Sequence, residues 1–258
     1  MSEKVILTRK ENRIGFITLN RPEAMNTFTP EFAVLLDQAL WDMENDDDVM
    51  VVVINAAGRH FCTGIDPGQF KNKNHGEYRK MLYGIDAFYH TLAKMKKTTI
   101  ASVQGYVLAN GAGLSFACDL TVAAETAKFG TTAINVGLIC LGPAVPMAKI
   151  LGRKKMLEMI LTGDMIKADE AEKLGLVNKV VADDQLESAT LRLAEKLAKK
   201  SPLALRAGKE GLNRLLDGPY DENINSMDDL FASLCATEDA EEGVRAFLEK
   251  RPPEWKGR

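Results

Sequence analysis

Histidine is scarce in this 258-residue chain, with His60, His75 and His90 the whole supply, and its four cysteines, Cys62, Cys118, Cys140 and Cys235, are scattered with no CxxC pair. Too few nitrogen and sulfur ligands stand at metal-binding spacing for a structural zinc site, and such cysteines are not a disulfide framework. Charge of one sign is lacking too: 33 Lys+Arg against 36 Asp+Glu leave a net charge of −3. Without a basic surplus to neutralise phosphates, nucleic acid is not expected as a partner. The first eleven residues lack the apolar stretch of a signal peptide, so a cytoplasmic location is the expectation. Two uncharged stretches, 98–118 and 129–148, are long enough to raise the question of a membrane span. Gln104, Asn110, Asn135, Pro143 and Pro146 interrupt them, so both are read as buried interior beside a site, with no membrane partner.

What remains is an ordinary globular composition, 46% hydrophobic and 27% charged, able to bury a large core. Residues 14–19 read as a strand ended by Asn20-Arg21-Pro22. Thr29-Pro30-Glu31 reads as N-cap, first helical position and acidic first turn of an amphipathic helix. Short runs rich in β-branched residues at 49–54, and similar ones at 98–103 and 120–123, predict strands covered on both faces. Helical spacing predicts helices over 78–96, 144–151, 168–174, 186–200, 202–216 and 237–248. Strands recurring among helices imply an α/β core over residues 1–200. Residues 201–258 are helical, with apolar faces, including Phe231 and Leu234, that must be buried against the core or another subunit.

Two glycine-bearing segments each follow a strand-like run: 55–66, containing Phe61-Cys62-Thr63-Gly64-Ile65-Asp66, and 104–114, containing Ala109-Asn110-Gly111-Ala112-Gly113. Neither has the spacing of a dinucleotide fingerprint, a phosphate loop or a nucleophile elbow. Together with Asn20-Arg21-Pro22-Glu23-Ala24-Met25-Asn26, Gly105-Tyr106, Cys118-Asp119, Lys128-Phe129-Gly130, Leu161-Thr162-Gly163 and the run 238–251, they resemble the crotonase superfamily, the enoyl-CoA hydratase/isomerase family. The likeness extends over essentially the whole chain.

The resemblance implies a spiral of ββα turns followed by a helical trimerisation region, assembled as a homotrimer or a dimer of trimers. It implies an acyl-CoA thioester as ligand, with coenzyme A entering as part of the substrate and no tightly bound cofactor. By position, the thioester oxygen would lie between the backbone amides of Ile65 and Asn110, fixed dipoles of the kind that stabilise developing negative charge. The resemblance further points to Ala24 in the 21–26 loop, Thr63 and Asp66 for the coenzyme A end, and to Leu141 for the acyl wall with Leu138 and Ile139. The resemblance also points to Lys256 near Trp255 as a contact for the coenzyme A end, offered by its own or a neighbouring subunit. Asp66 reads more simply as a turn residue than as a catalyst. At Asn110, where the family usually has glycine, the side chain would narrow the pocket or donate to the ligand.

The family's hydratases use two glutamates as base and acid; the matching positions here are Gly113 and Ala133, and neither side chain moves a proton. Three readings follow. A carboxylate from an unmatched place enters the pocket, with Glu77, Asp86 and Asp119 as candidates; the reaction leans on the oxyanion site, as in decarboxylation of a malonyl-type thioester; or the protein binds thioesters without turnover. Cys62 and Cys140 read as small apolar packing rather than nucleophiles.

Overall fold

The computed structural model describes residues 4–215 and 220–258. A six-stranded sheet is ordered β1 (Ile6–Glu11), β2 (Ile14–Leu19), β3 (Val51–Ala56), β4 (Thr98–Val103), β6 (Leu120–Ala124) and β9 (Lys179–Val181). Every pairing is parallel except the β1–β2 hairpin. A three-stranded sheet joins β5 (Tyr106–Leu108), β7 (Lys128–Gly130) and β8 (Met165–Lys167).

The β-branched runs behave as strands buried on both faces must. Alternate residues go to opposite cores: Ile14, Phe16, Val51, Val53 and Ile100 pack with α8 (Leu186–Ala198), whereas Ile17, Leu19, Val52, Ile54 and Ala101 face the larger core. That larger core includes Phe32 and Leu36 of α1 (Pro30–Glu44), whose N-cap is Thr29, its side chain accepting from Phe32 N.

The spiral shows in the isolated bridges. After β2, β3, β4 and β6 of the large sheet the chain makes a short extended contact and then enters a helix. Phe28 precedes α1; the segment 61–65 precedes α2 (His75–Ile85) and α3 (Ala87–Lys94); β5 precedes α4 (Asn110–Ala117); β7 precedes α5 (Leu141–Ala148). These contacts stack, Phe28 on Ile65, Cys62 on Val107 and β5 on β7, all in parallel. Stacking therefore lays the 61–65 segment beside the start of α4.

Several sequence expectations shift. The helix expected over 78–96 is two helices broken at Asp86; the apolar positions Ile85, Phe88 and Leu92 keep helical spacing across the break, which conceals it in the sequence. The helix expected from 144 begins at Leu141, which places Pro143 inside its first turn. The strand β1 and the helices α4 and α6 (Arg153–Thr162) were not expected; α7 (Ala168–Lys173) falls close to expectation, and α10 (Tyr220–Cys235) lies in the region expected to be helical. The helix expected over 202–216 is α9 (Pro202–Leu215), residue 216 lying outside the described residues.

Polar anchors fasten the C-terminal helices to the core. Lys209 on α9 donates to Lys97 O and pairs with Asp119 at 2.8 Å. Asp239, at the start of α11 (Glu238–Glu249), is buried and accepts from Ser201 Oγ and from the backbone N–H groups of Lys256 and Gly257, folding the last residues back. Leu212, Phe231, Val244, Phe247 and Leu248 remain exposed on the described C-terminal helices. Among the described residues, no helix is long and apolar enough to cross a membrane. Asp239→Ala strips three donors of their acceptor, so thermal or urea unfolding should show a loss of about 1–3 kcal/mol, with faster amide exchange at residues 256 and 257.

Candidate active site

Construction of the site begins at the turn after β2. Asn26 is fully buried; its side-chain oxygen accepts from Arg21 N at 2.7 Å and its amide donates to the carbonyls of Ala57 and His60. This staples the 21–26 turn, with Ala24 on it, to the loop after β3. Phe28 then captures the next segment: Phe28 N donates to Gly64 O at 2.8 Å and accepts, through its carbonyl, from Asp66 N at 2.9 Å. Since neighbouring peptide groups of an extended chain face opposite sides, the Ile65 N–H is turned away from Phe28.

The start of α4 lies on that other side. Leu108 N donates to Cys62 O at 2.9 Å, joining the segments, and Ala109 N donates to Gly130 O at 2.8 Å. Ala109 takes φ 47 and ψ −122, a region L-residues rarely enter, at a cost of about 1–3 kcal/mol. This sharp reversal makes Asn110 the first residue of the helix, where an N–H has no carbonyl four residues back to bond. Gly64, at φ +103, allows the approach: a Cβ there would stand 2.7 Å from Ala109 Cβ and 3.7 Å from Asn110 N. The segment carrying Ile65 and the helix start carrying Asn110 are thus side by side at a helix N-terminus, where fixed dipoles favour negative charge.

Asp86 stands next to this pair. At the break between α2 and α3 it holds a backbone conformation of φ −89 and ψ 5, and its carboxylate does not cap α3. Instead, Asn110 Nδ2 donates to Asp86 Oδ1 at 2.8 Å. One N–H of the Asn110 side-chain amide is therefore committed to Asp86. Burial holds the Asp86 carboxyl above the usual carboxylate range, opposed by the Asn110 hydrogen bond and by His90.

Tyr89, one turn along α3, carries its hydroxyl into the same interior. A Cβ on Gly113 would overlap that oxygen outright and lie 2.9 Å from the ring carbon bearing it. The hydroxyl is sealed from solvent and has no hydrogen-bond partner. Burial, with the neighbouring Asp86, Cys140 and Cys62, pushes its pKa well up. Ala133, in the turn after β7, is half-buried and lies near the Cys140 thiol.

The remaining expected residues divide. Asp66 is held in the turn, accepting from Gly68 N at 2.9 Å and standing 3.6 Å from Arg21 Nη2, which ties it to the turn carrying Ala24. Thr63 is half-buried between Cys62 and Gly64. Leu141, exposed at the start of α5, is followed by Gly142, where a Cβ would lie 3.3 Å from Asp86 Oδ2. Lys256 pairs with Glu238 at 3.3 Å within the C-terminal tail of its own chain. Of the candidate acids, Glu77 closes a capping box with Asn74, and Asp119 is taken up by Thr99 and Lys209. Cys62 is fully buried with its thiol pushed up to about 12, an inert packing group. A separate cavity of about 740 Å³, lined by Arg9, Asn55, Gln104, Tyr106 and Thr190 among others, opens toward α8 and includes neither Ile65, Asn110 nor Asp86. Sequence reasoning missed Tyr89, for which an aromatic at helical spacing gave no distinguishing signal.

Gly113→Ala should cost about 1–3 kcal/mol by overpacking, and much of that loss should disappear when Tyr89→Ala is added. A double-mutant cycle by urea unfolding reads the coupling; additive effects would mean that the two positions do not meet.

Comparison with known proteins agrees with this architecture. Residues 9–258 match the family model described as enoyl-CoA hydratase/isomerase. The chain is 37% identical over 261 residues to a probable enoyl-CoA hydratase of Rhizobium meliloti and 34% identical over 263 residues to the 2,3-dehydroadipyl-CoA hydratase of Escherichia coli, each alignment covering all of both chains. The crystal structure of an enoyl-CoA hydratase from Mycobacterium smegmatis superposes with a TM-score of 0.94 at 34% identity, covering 98% of this chain and 99% of that one. With its stacked strand-strand-helix turns matched almost end to end, the chain belongs to the enoyl-CoA hydratase/isomerase family.

Proposed function

We propose that this protein is an enzyme acting on acyl-CoA thioesters, in which the N–H groups of Ile65 and Asn110 jointly hold the thioester carbonyl oxygen and stabilise the enolate that forms from it. The observation that carries the reading is the convergence of the Gly64–Asp66 segment, fixed by Phe28, with the first residue of α4. A main-chain donor of this kind is in place before the reaction begins and needs no reorganisation as charge develops; loss of one costs about 10²–10³ in rate. The linked turns bearing Ala24, Thr63 and Asp66 support the coenzyme A end. Exposed Leu138, Ile139 and Leu141 beside the Asp86 break support an apolar wall for the acyl chain.

The carbonyl itself gives the test. A thioester labelled with ¹³C at C1 should show its C=O stretch lowered on binding, read by difference infrared spectroscopy. Gly64→Ala, which drives a methyl into Ala109, should weaken the lowering. A bound thioester with an unshifted carbonyl would overturn the reading.

The exposed apolar residues of α10 and α11, Phe231, Phe247 and Leu248, support assembly through the C-terminal helices into a trimer or a dimer of trimers. Sedimentation should give the mass of three or six chains, and Phe247→Asp should shift it toward one chain. A wild-type mass of one chain would exclude this assembly.

A further inference from the structure

We infer that Asp86, oriented by the side chain of Asn110, is the group that moves the proton on the carbon beside the polarised carbonyl, and that it works alone, shifting a double bond rather than adding water. The inference rests on the thioester reading of the Ile65 and Asn110 amides.

Position is the first support. Asn110 places its backbone N–H at the proposed oxyanion site and its side-chain amide on Asp86 Oδ1. The acid is therefore one asparagine side chain and one hydrogen bond away from the amide proposed to hold the carbonyl oxygen. Asp86 occupies the junction of two helices yet leaves the α3 N-terminus uncapped, forgoing the stabilisation an aspartate ordinarily supplies there. Its half-buried position still permits proton exchange with water.

Solitude is the second support. The place a side chain at Gly113 would need is filled by the Tyr89 hydroxyl, and Ala133 offers only a methyl. The groups facing this region are Tyr89 and His90 from α3, Asn110 from α4, and Cys140 and Gly142 at the start of α5; Asp86 is the one carboxylate among them. Adding water across a double bond calls for one group to take a proton and another to deliver one. Moving a proton between two carbons needs a single group that takes it and returns it.

On a 3-enoyl thioester the step balances without a co-reactant. The Asp86 carboxylate forms an O–H bond to the α-carbon proton as that C–H bond breaks. Its electron pair becomes the π bond between the α carbon and C1, and the carbonyl π pair moves onto the oxygen held by the two amides. When the oxygen pair re-forms the C=O bond, the π electrons shift along the chain and the γ carbon takes the proton from Asp86. The double bond then lies between the α and β carbons, conjugated with the thioester.

The experiment uses the full chain with a short 3-enoyl-CoA and, separately, a 2-enoyl-CoA, in D₂O, followed by ultraviolet absorbance and NMR. The 3-enoyl thioester should isomerise with deuterium entering the α and γ carbons, and the 2-enoyl thioester should gain no hydroxyl at a comparable rate. Asp86→Asn should lower isomerisation and exchange by about 10²–10⁴ while the thioester still binds with its carbonyl stretch lowered, and Asp86→Glu should recover part of the rate. Asn110→Ala removes the bond that lowers the Asp86 pKa, so the acid limb of its rate profile should move to higher pH. An Asp86→Asn protein that isomerises at the wild-type rate, a wild type that lowers the carbonyl stretch but moves no proton, or hydration outpacing isomerisation would each overturn the assignment to Asp86. An unshifted carbonyl in the wild type would instead overturn the reading of the amides on which it stands.

Discussion

Nothing at this site works unless the backbone at residue 64 can lie against the first turn of α4. That approach is a matter of volume. With hydrogen at the α position on one side and the forced reversal at Ala109 on the other, two peptide groups distant in sequence come to adjoin. The rest of the architecture keeps them there. Phe28 fixes the extended segment, Cys62 O fixes β5, and Gly130 O fixes Ala109, each bond made by a different turn of the spiral. The strained Ala109 conformation is tolerated because its surroundings determine it from both ends.

The same geometry explains why polar chemistry gathers at the α2–α3 break. The helix over residues 75–94 is interrupted at Asp86, whose N–H still donates to Leu82 O while its C=O accepts from Tyr89 N. The interruption leaves a carboxylate between α4 and α5, half out of water, with a single amide to orient it. Desolvation outweighs the Asn110 hydrogen bond and the nearby His90 and raises the carboxyl pKa. An acid that must both accept and release a proton benefits from a raised pKa, which makes its carboxylate a stronger base.

The large sheet was legible in the sequence because runs such as 49–54 and 98–103 have the β-branched, uncharged character that double-sided burial demands. The amide pair was legible only by likeness to a family, since Gly64 and Asn110 mean little until their segments are known to stack. Asp86 stood level with Glu77 and Asp119 as a carboxylate of no fixed duty. What separated the three was tertiary: a capping box claims Glu77, and Thr99 with Lys209 claims Asp119. The helix break that exposes Asp86 hid behind Ile85, Phe88 and Leu92, whose spacing carries through it. Tyr89 was invisible for a related reason, because the residue it answers, Gly113, belongs to a different helix.

The interlock of Tyr89 with Gly113 also constrains how such a protein can change over generations. A larger residue at 113 collides with the phenol, and shortening the phenol first opens a hole in a packed wall. Each step alone is a loss, so the pair behaves as a ratchet: a lineage that has exchanged a side chain on α4 for one on α3 is held there by sterics, whatever reaction selection comes to favour.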